Sequence, residues 1–135
     1  MFYKEIPARS NEVELQRISS KYGFSPVIVG VTRIGNKDLV CMEDLEADCL
    51  ADVYGEDPLY IPNWIWDEIR TMVTTLYQYE GIEYTDITPY NFIEKDNRVY
   101  MVDFGDAKYV QRDVPINWFL QEFIDGENSW NPDYK

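Results

Sequence analysis

The apolar positions of the chain fall into short alternating runs and longer helical stripes. Phe2-Tyr3-Lys4-Glu5-Ile6 alternates and is closed by Pro7, which predicts a strand. From Asn11 to Lys21, Leu15 and Ile18 recur at helical spacing, continued by Tyr22, and Gly23 follows as a stop. Asn11 with Glu14 has the form of a capping box for that helix. Two further runs, Pro26 to Val31 and Asp38 to Met42, flank the turn Gly35-Asn36 and predict a hairpin. The first sheet would then hold three strands, over 2–6, 28–34 and 38–42. Pro62 opens a long helix running to about Glu80, with Ile65, Ile69, Met72, Val73 and Leu76 on one stripe and Gly81 at its end. Trp64, Trp66, Tyr77 and Tyr79 on that helix read as core and surface packing. A second hairpin is predicted where Lys95-Asp96-Asn97-Arg98 separates Phe92-Ile93 from Val99-Tyr100-Met101-Val102. Asn117 to Ile124 would form one short last helix, stopped by Asp125-Gly126, with Ser129-Trp130-Asn131-Pro132 lying against the body. The chain thus combines hairpins with helices. No internal repeat or low-complexity tract interrupts them.

Composition narrows the chemistry. With 135 residues, 45% hydrophobic and 16% aromatic, the chain can bury one modest core as a single domain. Twenty-five acids against 12 bases leave a net charge of −13, which disfavours nucleic acid phosphates and anionic membranes and suits a basic protein partner. There is no histidine, so imidazole zinc sites and Ser-His or Cys-His catalysis are excluded. Cys41 and Cys49 have no metal-like spacing and read as reduced thiols of a cytoplasmic protein. No leader, membrane-spanning run or lipidation motif is expected. Seven acids and no base lie between Glu43 and Asp57. Such a run is a solvated face or, on a sharper reading, a rim that attracts a basic substrate.

The strongest chemical signal lies between Tyr84 and Gly105. Asp86 and Asn91 are five positions apart, and Asp103 lies twelve further on, across the second hairpin. That hairpin would bring Asn91 and Asp103 to neighbouring strand ends, where two hard oxygen ligands could share a Mg²⁺.

This unit resembles the catalytic core of protein kinases, in which His-Arg-Asp is followed by four residues, an asparagine, a hairpin and Asp-Phe-Gly. Asp86, Asn91, Asp103, Phe104 and Gly105 match in type, order and spacing, and Pro89 matches the proline commonly found before the asparagine. Tyr84 stands in place of the usual histidine, Thr85 of the arginine, and Thr88 of the lysine of serine/threonine kinases. The resemblance covers about residues 2–107. It implies an α+β class and a minimal bilobal kinase-like fold: a small antiparallel sheet plus one helix over 1–43, and a reduced, mainly helical lobe over 44–135. A Gly-rich loop and a full activation segment would be lacking, as in the pared-down kinase-like proteins of viruses and bacterial effectors.

The resemblance also implies roles. Asp86 would orient and deprotonate a hydroxyl, and Asn91 and Asp103 would hold Mg²⁺. Lys4 would contact the α- and β-phosphates of ATP and pair with Glu12, with Glu14 as the other candidate. The run from Val40 to Leu45 resembles the kinase hinge, placing Met42 behind the adenine and supplying backbone groups from Glu43 and Leu45. The function implied is Mg-ATP-dependent phosphotransfer, with a protein hydroxyl as the first candidate acceptor. The alternative is a weak or inactive kinase mimic that binds and regulates a partner protein. With few strands in the first sheet, a basic partner or a second copy of the chain is expected to cover its open edge. The setting would be cytoplasmic, the host's if the protein is viral or an effector.

Overall fold

A computed structural model describes residues 1–133. The chain forms β1 (Phe2–Pro7), α1 (Glu12–Lys21), β2 (Ile28–Ile34), β3 (Lys37–Met42) and α2 (Leu50–Tyr54). A 3₁₀ turn (Pro58–Tyr60) leads to α3 (Asn63–Glu80), β4 (Ile82–Glu83), β5 (Phe92–Lys95), β6 (Arg98–Met101), β7 (Lys108–Tyr109) and α4 (Trp118–Ile124). The class is α+β, and the arrangement is compatible with a minimal kinase-like fold.

The first sheet has the order β1-β3-β2, antiparallel throughout. The two-residue loop Gly35-Asn36 joins β2 to β3, with Gly35 at φ 63°. Opposite β3, Lys4 pairs with Val40 and Ile6 with Asp38, so Phe2, Lys4 and Ile6 share one face. Ile6, Ile28, Val40 and Met42 form a small apolar cluster on this sheet, with Val13 of α1 packed on it.

The larger core gathers around α3. Ile65, Ile69, Met72, Val73 and Leu76 are all buried, joined by Trp66, which the stripe did not include. Each such side chain contributes roughly 1.5–3 kcal/mol on burial. Gly81 ends the helix at φ 65° and donates its N–H to the Tyr77 carbonyl (3.2 Å). The hairpin β5–β6 turns at Asp96 and Asn97, at φ 53° and 63°, the two left-handed residues that a type I′ turn demands. Leu15 of α1 enters this larger core while Val13 packs on the smaller one. Helix α1 thus sits between the two clusters, which places its first turn at their junction.

Several features depart from the expectations. The capping box does not form: the Asn11 side chain makes no cap, and Ser10 Oγ accepts the Glu12 N–H instead (3.1 Å). The buried face of α1 includes polar Gln16 and Ser19, satisfied by Pro26 O (2.9 Å) and Ser25 Oγ (2.7 Å). Tyr22 is exposed. The acid-rich run holds α2, whose Leu50 is fully buried and whose Ala51 N–H donates to Pro89 O (2.9 Å). Strands β4 and β7, two residues each, pair with one another.

Candidate active site

The segment between β4 and β5 carries Asp86 in a tight turn. The Ile87 N–H donates to the Thr85 carbonyl (2.8 Å), so Asp86 is the middle residue of a three-residue turn. Asn91, buried just before β5, holds this turn from one side. Its Nδ2 donates to the Asp86 carbonyl (2.8 Å) and to Asp86 Oδ2 (2.9 Å). That engagement fixes the carboxamide and turns its Oδ1 away from Asp86.

The end of β6 returns beside it. The Val102 N–H donates to the Asn91 carbonyl (2.9 Å), which places Asp103 next to Asn91. Asp103 has φ 63°, a conformation that aspartate tolerates because its carboxylate bonds locally. Here Oδ1 accepts the Gly105 N–H (3.1 Å). A Cβ on Gly105 would lie 3.2 Å from Asp103 Oδ1 and 3.4 Å from Glu12 Oε1, so the absent side chain lets two carboxylates approach.

Across the cleft, Lys4 of β1 ion-pairs with Glu12 Oε2 and lies 3.6 Å from Asp103 Oδ1. Glu12 rather than Glu14 makes this contact, since the first turn of α1 directs it, largely buried, at β1. One ammonium therefore faces two carboxylates that come from separate elements.

A cleft of about 350 Å³ runs along these residues. Lys4, Met42, Glu43, Leu45, Asn91 and Asp103 all line it. Met42 is held by Gln16, whose Nε2 lies 3.4 Å from its sulfur. The Glu43 N–H donates to Val27 O (2.9 Å), continuing the strand pairing. Among the described residues, no hydrogen bond engages the Glu43 carbonyl or the Leu45 N–H. The cleft thus has an apolar end at Met42 and Leu45 and a charged end at Lys4 and Asp103.

Burial raises the Asp86 carboxyl above the usual carboxylate range, and the charges of Asp106 and Asp103 add to this, while the Asn91 bond opposes it. Tyr84 is almost fully buried and donates its hydroxyl to Val102 O (2.7 Å). Its ring meets Phe104 and Phe92 edge-on, with centroids 5.2 and 6.1 Å away. It ties the Asp86 turn to the strand that delivers Asp103.

The donor set fits a hard cation. Asn91 Oδ1 and the exposed Asp103 carboxylate are oxygen ligands of the kind Mg²⁺ takes together with water and phosphate. Among the described residues, no group of three His, Cys, Asp or Glu side chains is placed to hold a metal. Asn131 was not singled out as a site residue. It bonds the backbone on both sides of Asp86 from 46 and 44 positions away, a relation no local pattern reveals.

No family model matches the chain. It is 28% identical over 116 residues to a protein of Archaeoglobus fulgidus described as "Probable serine/threonine-protein kinase BUD32 homolog". The match covers 84% of this chain and 53% of that protein, so the chain spans about half the length of the curated relative it matches. Over most of its length, the chain is therefore similar to a protein of the kinase-like family.

Proposed function

We propose that the protein is a kinase-like phosphotransferase that uses Mg-ATP, with a protein hydroxyl as acceptor. The observation that carries this reading is the convergence of Lys4, Glu12 and Asp103 on the same cleft as Asn91, which in turn holds Asp86. Lys4, set by Glu12, binds the α- and β-phosphates. Asn91 and Asp103 hold the metal, which when bound neutralises charge on the phosphate oxygens. Met42 would pack behind the adenine, and backbone groups of Glu43 and Leu45 would meet its polar edge. Asp86 orients the acceptor hydroxyl and takes its proton, and its raised affinity for protons suits a general base.

The similarity to an archaeal kinase supports phosphotransfer in general. The finer reading, a kinase-like protein of viral or effector type working in a cytoplasm, rests on the residues alone. No helix among the described residues is long and apolar enough to cross a membrane. The acidic loop between β3 and α2 favours a basic protein as substrate or partner. Among the described residues, β1 pairs with β3 only, so its outer edge is where a partner or second copy would add a strand. Light scattering with and without a basic partner tests that edge.

A thermal-shift titration with ATP and Mg²⁺, followed by a phosphotransfer assay, tests the main reading. Stabilisation that requires both ligands, and transfer that requires Asp86, is the expected result. Binding without transfer would replace the enzyme by a kinase mimic, and no binding would remove the nucleotide site.

A further inference from the structure

We propose that Asn131 is a positioning residue for Asp86, gripping the backbone on either side of it. Asp86 sits at the apex of a three-residue turn closed by one bond, Ile87 N–H to Thr85 O (2.8 Å). Asn131 doubles that closure. Its Nδ2 donates to Thr85 O (2.7 Å), and its backbone N–H donates to Ile87 O (2.8 Å). The Thr85 carbonyl thus accepts two hydrogen bonds, the number its lone pairs allow. The amide is oriented in turn, because Asn131 Oδ1 accepts the Asp133 N–H (2.9 Å), which leaves Nδ2 for Thr85.

The grip has a rigid base. The preceding residue, Trp130, is buried, and its ring lies tilted against Trp66 of α3 at 4.5 Å between centroids. Its Nε1 donates to Glu56 O (3.0 Å). The largest helix of the core therefore carries Asn131 to the Asp86 turn. With Asn91 bonding Asp86 from the β5 side, the turn is held between two asparagines. Both asparagine contacts with residues 85 and 87 go to main-chain carbonyls, so they act on backbone geometry whatever side chains those positions carry.

The consequence for rate rests on the phosphotransferase reading; the geometric consequence does not. A misplacement of about 1 Å caused from outside the reacting atoms can cost about 10²-fold. The test uses the full chain with Asn131→Ala and with Asn131→Asp. The second keeps the shape and the acceptor for Asp133 but cannot donate to Thr85. Three quantities are read: kcat and KM for Mg-ATP in phosphotransfer, calorimetric Kd and stoichiometry for Mg-ATP, and hydrogen exchange of the Ile87 amide. Both variants should lower kcat by about 10²-fold while KM, Kd and stoichiometry hold and the Ile87 amide exchanges faster. A merely structural role would lower stoichiometry and leave kcat per bound nucleotide unchanged, which would overturn the proposal. So would Ile87 exchange and kcat equal to the parent's, or loss of nucleotide affinity in step with rate. If the parent binds Mg-ATP but transfers nothing, the phosphotransferase reading fails. Ile87 exchange then decides alone: faster in both variants sustains the grip, and unchanged exchange refutes it.

Discussion

Replacing Tyr84 by phenylalanine would remove one oxygen from the middle of the fold. The ring stays, and so do its edge-on contacts with Phe104 and Phe92. What is lost is the bond, at 2.7 Å, from the hydroxyl of this 1% exposed side chain to the half-buried Val102 carbonyl. The cost is that of one hydrogen bond, about 0.5–1.5 kcal/mol. For a chain of this size, the fall in Tm should be roughly 2–7 °C. The sign of the pH dependence follows from the phenol. Burial holds its pKa well above the usual tyrosine value, and the charges of Asp86, Asp103, Asp106 and Glu12 push the same way. In the unfolded chain it ionises near pH 10, as an ordinary tyrosine does. The parent therefore keeps this stabilisation below about pH 10 and loses it as pH rises further, whereas the variant has no such loss. Urea denaturation followed by tryptophan fluorescence, near neutral pH and above about pH 10, measures both. The gap between parent and Tyr84→Phe should be largest at neutral pH and narrow in alkali. Equal midpoints at neutral pH, or a gap that widens with pH, would show that this bond does not hold the fold as described.

Two further outcomes follow from the same geometry. Asp103→Ala should abolish divalent-dependent nucleotide binding, because triphosphate charge would then face an acidic protein without its bridging ligand; calorimetry showing parent-like affinity would remove Asp103 from the metal site. Gly105→Ala puts a methyl 3.2 Å from Asp103 Oδ1 and 3.4 Å from Glu12 Oε1, so KM for Mg-ATP should rise roughly fivefold for about 1 kcal/mol of displacement. An unchanged KM would mean that the two carboxylates need not approach across that glycine.

What could be read from the sequence was what is local. Gly35, Asp96 and Asn97 take the backbone conformations that hairpin turns require, so both hairpins could be placed from short stretches. The stripe from Ile65 to Leu76 repeats often enough to define the longest helix. Asp86, Asn91 and Asp103 lie on one continuous segment, so their proximity needed only a hairpin between them. Helix α2 escaped notice because it has five residues and only Leu50 is buried, within a run dominated by acids. Strands β4 and β7 are two residues each, too short for any alternation. Glu12 and Glu14 share a first helical turn, and only the packing of α1 between two clusters directs Glu12 at Lys4. The Asn131 contacts join positions 46 and 44 apart through main-chain carbonyls, which carry no signature in residue types.

The most direct measurement is transfer of the γ-phosphate from Mg-ATP, to the chain itself and to basic protein acceptors, by the parent and by Asp86→Asn. Asparagine keeps the size of the side chain and removes the base, and the loss of positioned proton transfer is worth about 10²–10⁴-fold. Because burial and the charges of Asp106 and Asp103 raise the Asp86 carboxyl, the parent's rate should fall on acidification at a pH above that of an ordinary carboxylate. The expected result is transfer by the parent, a loss of at least about 10²-fold in Asp86→Asn, and equal Mg-ATP affinity in both. A parent that binds Mg-ATP without transferring phosphate, or a variant that transfers as fast as the parent, would contradict it.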